Sequence, residues 1–178
     1  MSSRQITLVD YDINWPAKFE AEKKQIVNSL NDCVIECFHI GSTSVPGLAA
    51  KPIIDILLVV SSLDLLDRCQ LELEKIGYIA KGENGICGRR YFIKGIQVRS
   101  FHLHAYESNH PDIVRHLAFR DYLKNNPDIA KEYQKIKKQA IIIANNEPEI
   151  YSEYKNPFIK KHESIALSHA KKSRQEDD

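Results

Sequence analysis

The chain has 178 residues, with 25 Lys or Arg against 24 Asp or Glu and therefore a formal net charge of +1. Its content of 43% apolar and 28% charged residues is typical of a globular domain with a full core and argues against wholesale disorder. The near-neutral charge argues against a general nucleic-acid binder, and no apolar run approaches the ~18 residues that a membrane span needs.

The first part of the chain, to about residue 108, combines helix and strand signals. The predicted strands are 6–11, 34–40, 53–60, 89–94 and 97–106. A first helix is predicted from Asn14-Trp15-Pro16, because proline favours the first turn, and a second helix covers 63–76. Glycine-bearing loops are predicted at 41–47 and 81–88.

From Pro111 onward the alternation typical of strands gives way to helical periodicity. One helix is predicted around Ile113 and Leu117, a second covers 129–145, and Pro148 and Pro157 divide a remainder that is also helical. The sequence therefore predicts one domain over 1–170, with an α/β front (about 1–108) and a helical back (about 110–170), followed by a flexible tail at 171–178.

An acid, Asp55, interrupts the apolar strand 53–60. A buried carboxylate is costly unless it meets a cation or hydrogen-bond donors. Asp55 either bonds to loop amides in a structural role or belongs to a functional site.

The loop before this strand favours the functional role. Gly41 and Gly47 permit unusual backbone angles, hydroxyl side chains follow Gly41, and Lys51 adds a cation. Such a turn after a strand is a plausible phosphate cradle, although Gly/Ser turns are common. The predicted ligand contacts in this segment are Gly41, Ser42, Ser44 and Lys51.

Two histidines alternate on a later strand. In His102-Leu103-His104 a period of two residues places both imidazoles on one face of the sheet, with Arg99 on the other. Two such imidazoles can share a metal, or one can act as acid or base while the other positions a phosphate. The alternative is two solvent-facing histidines. Histidines 110, 116, 162 and 169 lie in helical or tail segments, where a surface role is expected.

The segment 88–104 carries cations and no acid; the cations are Arg89, Arg90, Lys94 and Arg99. Clustered cations suit an anionic ligand such as a triphosphate, and Arg89 or Arg90 would neutralise its charge. The alternative is a solvated face of the sheet. On the helical back, we expect Arg120 and Asp121 to pair locally and Lys131, Lys135 and Lys138 to form a wet face.

The stretch from 39 to 56, HIGSTSVPGLAAKPIIDI, resembles the GrpB family of small bacterial proteins, also called UPF0157. The resemblance extends to VDYD near residue 9, to HLH at 102–104, to FRDYL at 119–123 and to YK at 154–155. It implies an α+β fold, a nucleotidyltransferase-like mixed β-sheet flanked by helices with a C-terminal helical extension.

That superfamily places two carboxylates, two residues apart, on one strand and a third on a later strand, where they hold the divalent cations that bridge nucleotide phosphates. Asp55 matches the first position, but the second is Leu57, and the later strand offers His102 and His104. The usual two-cation arrangement therefore cannot be assembled from these positions. Either Asp55, His102 and His104 share one divalent metal, or the site binds a nucleotide without transferring any group.

We therefore expect a nucleotidyltransferase-like protein that binds a nucleotide or another small phosphorylated ligand. In the enzymatic version Asp55 and His104 are catalytic, and Asp55, His102 and His104 hold Mg²⁺, Mn²⁺ or Zn²⁺, with the histidines favouring Mn²⁺ or Zn²⁺. The alternatives are a binding module without catalysis and a protein whose helical back docks a partner. Because residues 1–5 lack the apolar core of a secretory signal, we expect a cytoplasmic protein with no membrane partner.

Overall fold

The computed structural model of the chain describes residues 6–95 and 98–176. The strands are β1 (Val34–Ile40), β2 (Ile54–Val60), β3 (Tyr78–Ala80), β4 (Arg89–Lys94) and β5 (Phe101–Glu107). The α-helices are α1 (Trp15–Leu30), α2 (Leu63–Arg68), α3 (Gln70–Lys75), α4 (Pro111–Asn125), α5 (Pro127–Ala144) and α6 (Pro148–Glu176).

The five strands form one mixed sheet in the order β1-β2-β5-β4-β3. The central pair, β2 and β5, is parallel, and the other three pairs are antiparallel. The parallel pairing sets Asp55 opposite His102 and Leu57 opposite His104. This mixed sheet with flanking helices confirms the predicted α+β fold.

Several predicted elements differ in the structure. The strand predicted at 6–11 is reduced to a single bridge between Val9 and Ala50, and the helix predicted over 63–76 is interrupted at Cys69, whose ψ of 5° is not helical. The short strand β3 was not predicted, because three residues are too few to show an alternation.

The sequence indicates a helix boundary at Pro157, but in the structure α6 continues through this residue. A proline removes one backbone hydrogen bond, but burial of the neighbouring Phe158 and His162 against other helices holds α6 together. Helix α6 extends into the tail predicted at 171–178, of which residues 177 and 178 lie outside the described part. Residue 97, the predicted start of the last strand, also lies outside it.

Each face of the sheet packs against different helices. On β2, alternate residues from Ile54 to Val60 join a core formed with α1, α2 and α3. Leu57 and Val59 point the other way and pack with Tyr106 and with Ile113 of α4. Asp55 has the same parity as Leu57, so its carboxylate belongs to the face covered by α4 to α6.

The loop after β1 is held inside the helical back. Val45 and Leu48 are buried among side chains of α4, α5 and α6, including Leu123, Tyr133 and Phe158. This contact places the predicted phosphate cradle between the sheet and α5. None of the helices within residues 6–95 and 98–176 is long and apolar enough to cross a membrane.

Candidate functional site

The centre of the candidate site is the contact of Asp55 with two histidines. Asp55 Oδ1 lies 3.3 Å from His102 Nδ1 and 3.3 Å from His104 Nε2. Both imidazoles therefore occupy the same face of the sheet, as the alternation predicts. The Tyr91 ring of β4 packs against both of them, with ring centroids 5.6 and 5.1 Å apart.

The two imidazoles determine the ionisation of this carboxyl. Burial by itself raises the pKa of Asp55. The hydrogen bonds from His102 and His104, together with their charges, lower it by more, so that the net pKa lies well below the usual range. Asp55 is therefore an ionised carboxylate at neutral pH.

The loop after β1 is shaped around this carboxylate. Gly41 has φ +70°, and a Cβ atom at that position would lie 2.6 Å from Asp55 Oδ2. Ser44 Oγ donates a 2.6 Å hydrogen bond to the Gly41 carbonyl, and Thr43 Oγ1 lies 2.9 Å from His39 Nε2. Of the predicted cradle residues, Ser44 thus stabilises the turn itself, whereas Ser42 lines the adjoining cleft.

Three lysines from three elements surround this cleft, which has a volume of about 150 Å³. Lys51 follows the loop, Lys137 belongs to α5 and Lys155 to α6. The ammonium groups of Lys51 and Lys155 lie 4.0 and 4.1 Å from the centre of the Tyr151 ring. Among the described residues that line the cleft, Asp55 is the only acid.

Burial, and in two of them the charge of a neighbouring lysine, lowers the pKa values of these lysines. Burial, and secondly the charge of Lys155, lower the pKa of Lys137 to about 7. Burial and the charge of Lys51 lower the pKa of Lys155 to about 8, although Asp55 acts in the opposite direction. The pKa of Lys51 is also lowered, first by burial. A bound anion would raise these pKa values and so stabilise the protonated lysines.

Sequence reasoning missed Lys137 and gave Lys155 no role, because both belong to the helical back. One signal was present for Lys137. It continues the buried stripe of α5, whose other members are Ala130, Tyr133, Ala140 and Ala144. A lysine within such a stripe either pairs with a buried partner or lines a cavity.

The cations of 88–104 do not gather at this cleft. Arg90 faces α2, where it forms a two-bond ion pair with Asp67 at 2.7 and 2.8 Å. Arg90 is the partner of Ala105 in the register of β4 and β5, and both side chains lie on the face of the sheet away from His102 and His104. Arg89 donates to the loop carbonyls of Glu83 and Asn84. Lys94 binds Glu22 of α1 at 2.7 Å. The acids that pair with Arg90 and Lys94 come from distant parts of the chain, which a local count of charge cannot reveal.

Arg99 lies before the first residue of β5, so the alternation of faces along that strand, which predicted Arg99 on the face opposite the histidines, does not extend to it. It lies close enough to Tyr91 for its charge to lower that residue's pKa, which burial and Asp55 nevertheless raise to about 12. Arg120 does pair with Asp121, and it also donates to the His39 carbonyl at 3.2 Å. Contrary to expectation, His162 is 3% exposed and packs against Phe158.

The predicted metal ligands come together without forming an open centre. Their nitrogens contact a single oxygen of Asp55, and within the described residues no group of three or more His, Cys, Asp or Glu side chains is arranged to hold a metal ion. Leu57, at the second carboxylate position, is 0% exposed in the core. As placed, these residues do not fit the superfamily's two-cation arrangement.

Comparison with known proteins gives the family. Residues 5–164 match the family model described as GrpB protein. The chain belongs to the GrpB family. This GrpB protein is 43% identical over 166 residues to the UPF0157 protein YqkA of Bacillus subtilis, which covers 92% of the chain and 48% of YqkA. The chain therefore spans about half the length of that relative. The resemblance inferred from residues 39–56 is confirmed.

Solved structures agree with this assignment. The crystal structure of the conserved protein GrpB from Enterococcus faecalis superposes with a TM-score of 0.88 at 43% identity, covering 92% of this GrpB chain and 99% of that one. Cid1 in complex with its short product ApU matches with a TM-score of 0.51 at 15% identity, over 72% of this chain and 41% of Cid1. At that identity the similarity shows a distant nucleotidyltransferase-like fold alone.

Proposed function

We propose that the cleft between β2, α5 and α6 binds the phosphate groups of a nucleotide or another small phosphorylated ligand. The observation that carries this proposal is the convergence of Lys51 and Lys155, with Lys137 deeper below them, on a cleft whose only described acid, Asp55, already contacts two imidazoles. Ammonium groups held together without a matching number of carboxylates favour a multiply charged anion.

Lys51 and Lys155 are the proposed direct phosphate ligands. Their contacts are with the Tyr151 ring, which holds both ammonium groups at the cleft while leaving their N–H donors available to an anion. Lys137 lies deeper, against Ser42 and the Ala49 carbonyl. The pKa of Lys155, lowered to about 8, rises when a phosphate approaches, so that binding is accompanied by proton uptake.

Binding is better supported than transfer of a nucleotidyl group. The proposal places Asp55 and its histidines beside the ligand, where they orient a hydroxyl or the sugar. A metal-dependent transfer would need the two imidazoles to turn away from Asp55.

Isothermal titration calorimetry with ATP, UTP and pyrophosphate, each with and without Mn²⁺, tests the proposal. We expect saturable binding, weakened about tenfold to a hundredfold in Lys51→Ala and in Lys155→Ala, because a charged hydrogen bond contributes about 1.5–3 kcal/mol. Lys160→Ala, at an exposed lysine of the same helix as Lys155, is the matched control, and Lys138→Ala at an exposed lysine of α5 is a second control; both should bind normally.

Two results would overturn the proposal: absence of binding to all three ligands, or equal weakening in the control variants. The same mixtures, incubated with α-labelled nucleotide and candidate acceptors, measure transfer. Turnover that requires Mn²⁺ and is lost in Asp55→Asn would establish the enzymatic version.

A further inference from the structure

Ser42 and Lys137 form a pair separate from the contacts of Asp55 with the histidines. Lys137 Nζ lies 3.1 Å from Ser42 Oγ, and its other hydrogen-bond partner is the Ala49 carbonyl oxygen. Ser42 is half-buried and lines the cleft, whereas Lys137 is 2% exposed beneath it. A hydroxyl open to the cleft thus contacts an amine that is shielded from water.

The surroundings of Lys137 favour its neutral form. The groups that face its amine are Ser42, the Tyr133 ring with its centre 4.8 Å away, and the charge of Lys155 from α6. Burial is the main reason that its pKa falls to about 7. The protonated amine donates to both Ser42 Oγ and the Ala49 carbonyl. The neutral amine can still donate an N–H to the Ala49 carbonyl while its lone pair accepts from the Ser42 hydroxyl.

We propose that Ser42 is a catalytic nucleophile, with Lys137 as its general base, toward an acyl ester or thioester whose leaving group carries phosphate. An uncharged carbonyl beside Lys137 leaves the amine neutral, whereas a phosphoryl group at that point would draw a proton onto it and abolish the base. The phosphate of the leaving group would lie at Lys51 and Lys155, and this part rests on the proposed function.

The reaction balances without a metal or an oxidant. Ser42 Oγ attacks the carbonyl carbon while its proton passes to Lys137 Nζ, which gives a tetrahedral intermediate. The C–O or C–S bond to the leaving group then breaks, and the leaving group takes the proton from Lys137. Water attacks the acyl-Ser42 ester with Lys137 as base, releasing the carboxylic acid and restoring Ser42.

An uncharged alkyl fluorophosphonate tests the nucleophile without using the phosphate site. Attack by Ser42 Oγ on phosphorus expels fluoride, so intact-mass and peptide mass spectrometry should find one adduct, on Ser42. Ser42→Ala should abolish it. Ser152→Ala is the matched control, since Ser152 of α6 lines the same cleft.

The role of Lys137 has its own readouts. Labelling of the wild type should rise with pH through a single ionisation near 7. Lys137→Arg keeps the positive charge but cannot accept a proton, so labelling should fall about a hundredfold while the circular dichroism spectrum is retained. If that variant does not fold, the wild-type pH profile still decides the question.

The proposal is overturned by the absence of an adduct, by an adduct on another residue, or by a rate that does not change between about pH 5 and about pH 9. Protection of Ser42 by ATP tests its link to the phosphate site. Labelling without protection removes the phosphorylated leaving group from the proposal, whereas nucleotide binding without labelling overturns the nucleophile and leaves the proposed function standing.

Discussion

Asp55 lies so close to Gly41 that a Cβ atom at position 41 would be 2.6 Å from Asp55 Oδ2. The glycine at the end of β1 therefore serves two purposes. It adopts φ +70° and ψ −173°, a conformation that side chains other than glycine disfavour, and it leaves the space that the carboxylate occupies.

Gly41→Ala should accordingly cost more than backbone strain alone. Gly47 is the natural comparison, since its φ is +77° but no atom lies within 4 Å of the position of a Cβ. We expect urea denaturation to show a loss of about 1 kcal/mol in Gly47→Ala and of about 2–3 kcal/mol in Gly41→Ala. Equal losses would contradict a role for the Asp55 contact.

Leu57→Asp would restore the second carboxylate of the superfamily in sequence but not in structure. Leu57 is fully buried with Val59, Tyr106 and Ile113, so an aspartate there is an unpaired charge in the core. We expect its free energy of unfolding to fall by about 3 kcal/mol or more, with no rescue by Mn²⁺. Leu57→Asn separates the effect of charge from that of volume. A folded Leu57→Asp protein stabilised by Mn²⁺ would show that the site can hold a metal.

Arg90→Ala should leave ligand binding unchanged. The Arg90–Asp67 pair lies on the face of the sheet away from the cleft, and its side chains are 24% and 42% exposed. Such a pair contributes about 0–1 kcal/mol to stability. Calorimetry should therefore give the wild-type affinity for nucleotide, in contrast to Lys155→Ala. Weaker binding in Arg90→Ala would show that Arg90 contributes to the ligand site after all.

The affinity for a phosphorylated ligand should fall with increasing pH. Lys155, with its pKa lowered to about 8 by burial and Lys51, is protonated below that pH and loses its proton above it. Because the bound anion raises this pKa, affinity is greatest below about 8 and declines up to tenfold per pH unit above it. Titrations at about pH 7 and about pH 9.5 measure the change. In Lys155→Ala the dependence should be smaller; an unchanged dependence would assign it to another group.

The stability of the fold should decrease in weak acid because of His39 and His116. Burial lowers their pKa values to about 4 and about 3, well below the ~6.5 expected in the unfolded chain. Their contribution to stability is thus complete above about pH 6.5 and is lost as the pH falls toward the folded values, by about 1.4 kcal/mol per pH unit for each histidine. Urea denaturation across this range should show a slope that His116→Gln reduces by about one proton. The same slope in that variant would exclude His116.

Much of the sheet follows from the sequence. Apolar runs next to turn residues located β1 and β2, and β4 was located between two glycines, because these strands are long enough to stand out from the loops around them. The same alternation placed His102 and His104 on one face, and the interruption of an apolar strand by Asp55 identified the carboxylate that they contact. These are local properties, which the order of residues along one strand determines.

Tertiary structure decided which distant groups meet at the site. Only the packing of α5 and α6 over the loop after β1 brings Lys137 and Lys155 beside Lys51, since Lys137 follows Lys51 by 86 positions along the chain. The pairing of β4 with β5 likewise turned Arg90 toward Asp67. A protein of near-neutral composition thus has a locally positive cleft. The burial and pairing of each charge depend on contacts between elements that are far apart in the sequence, and local sequence patterns do not reveal those contacts.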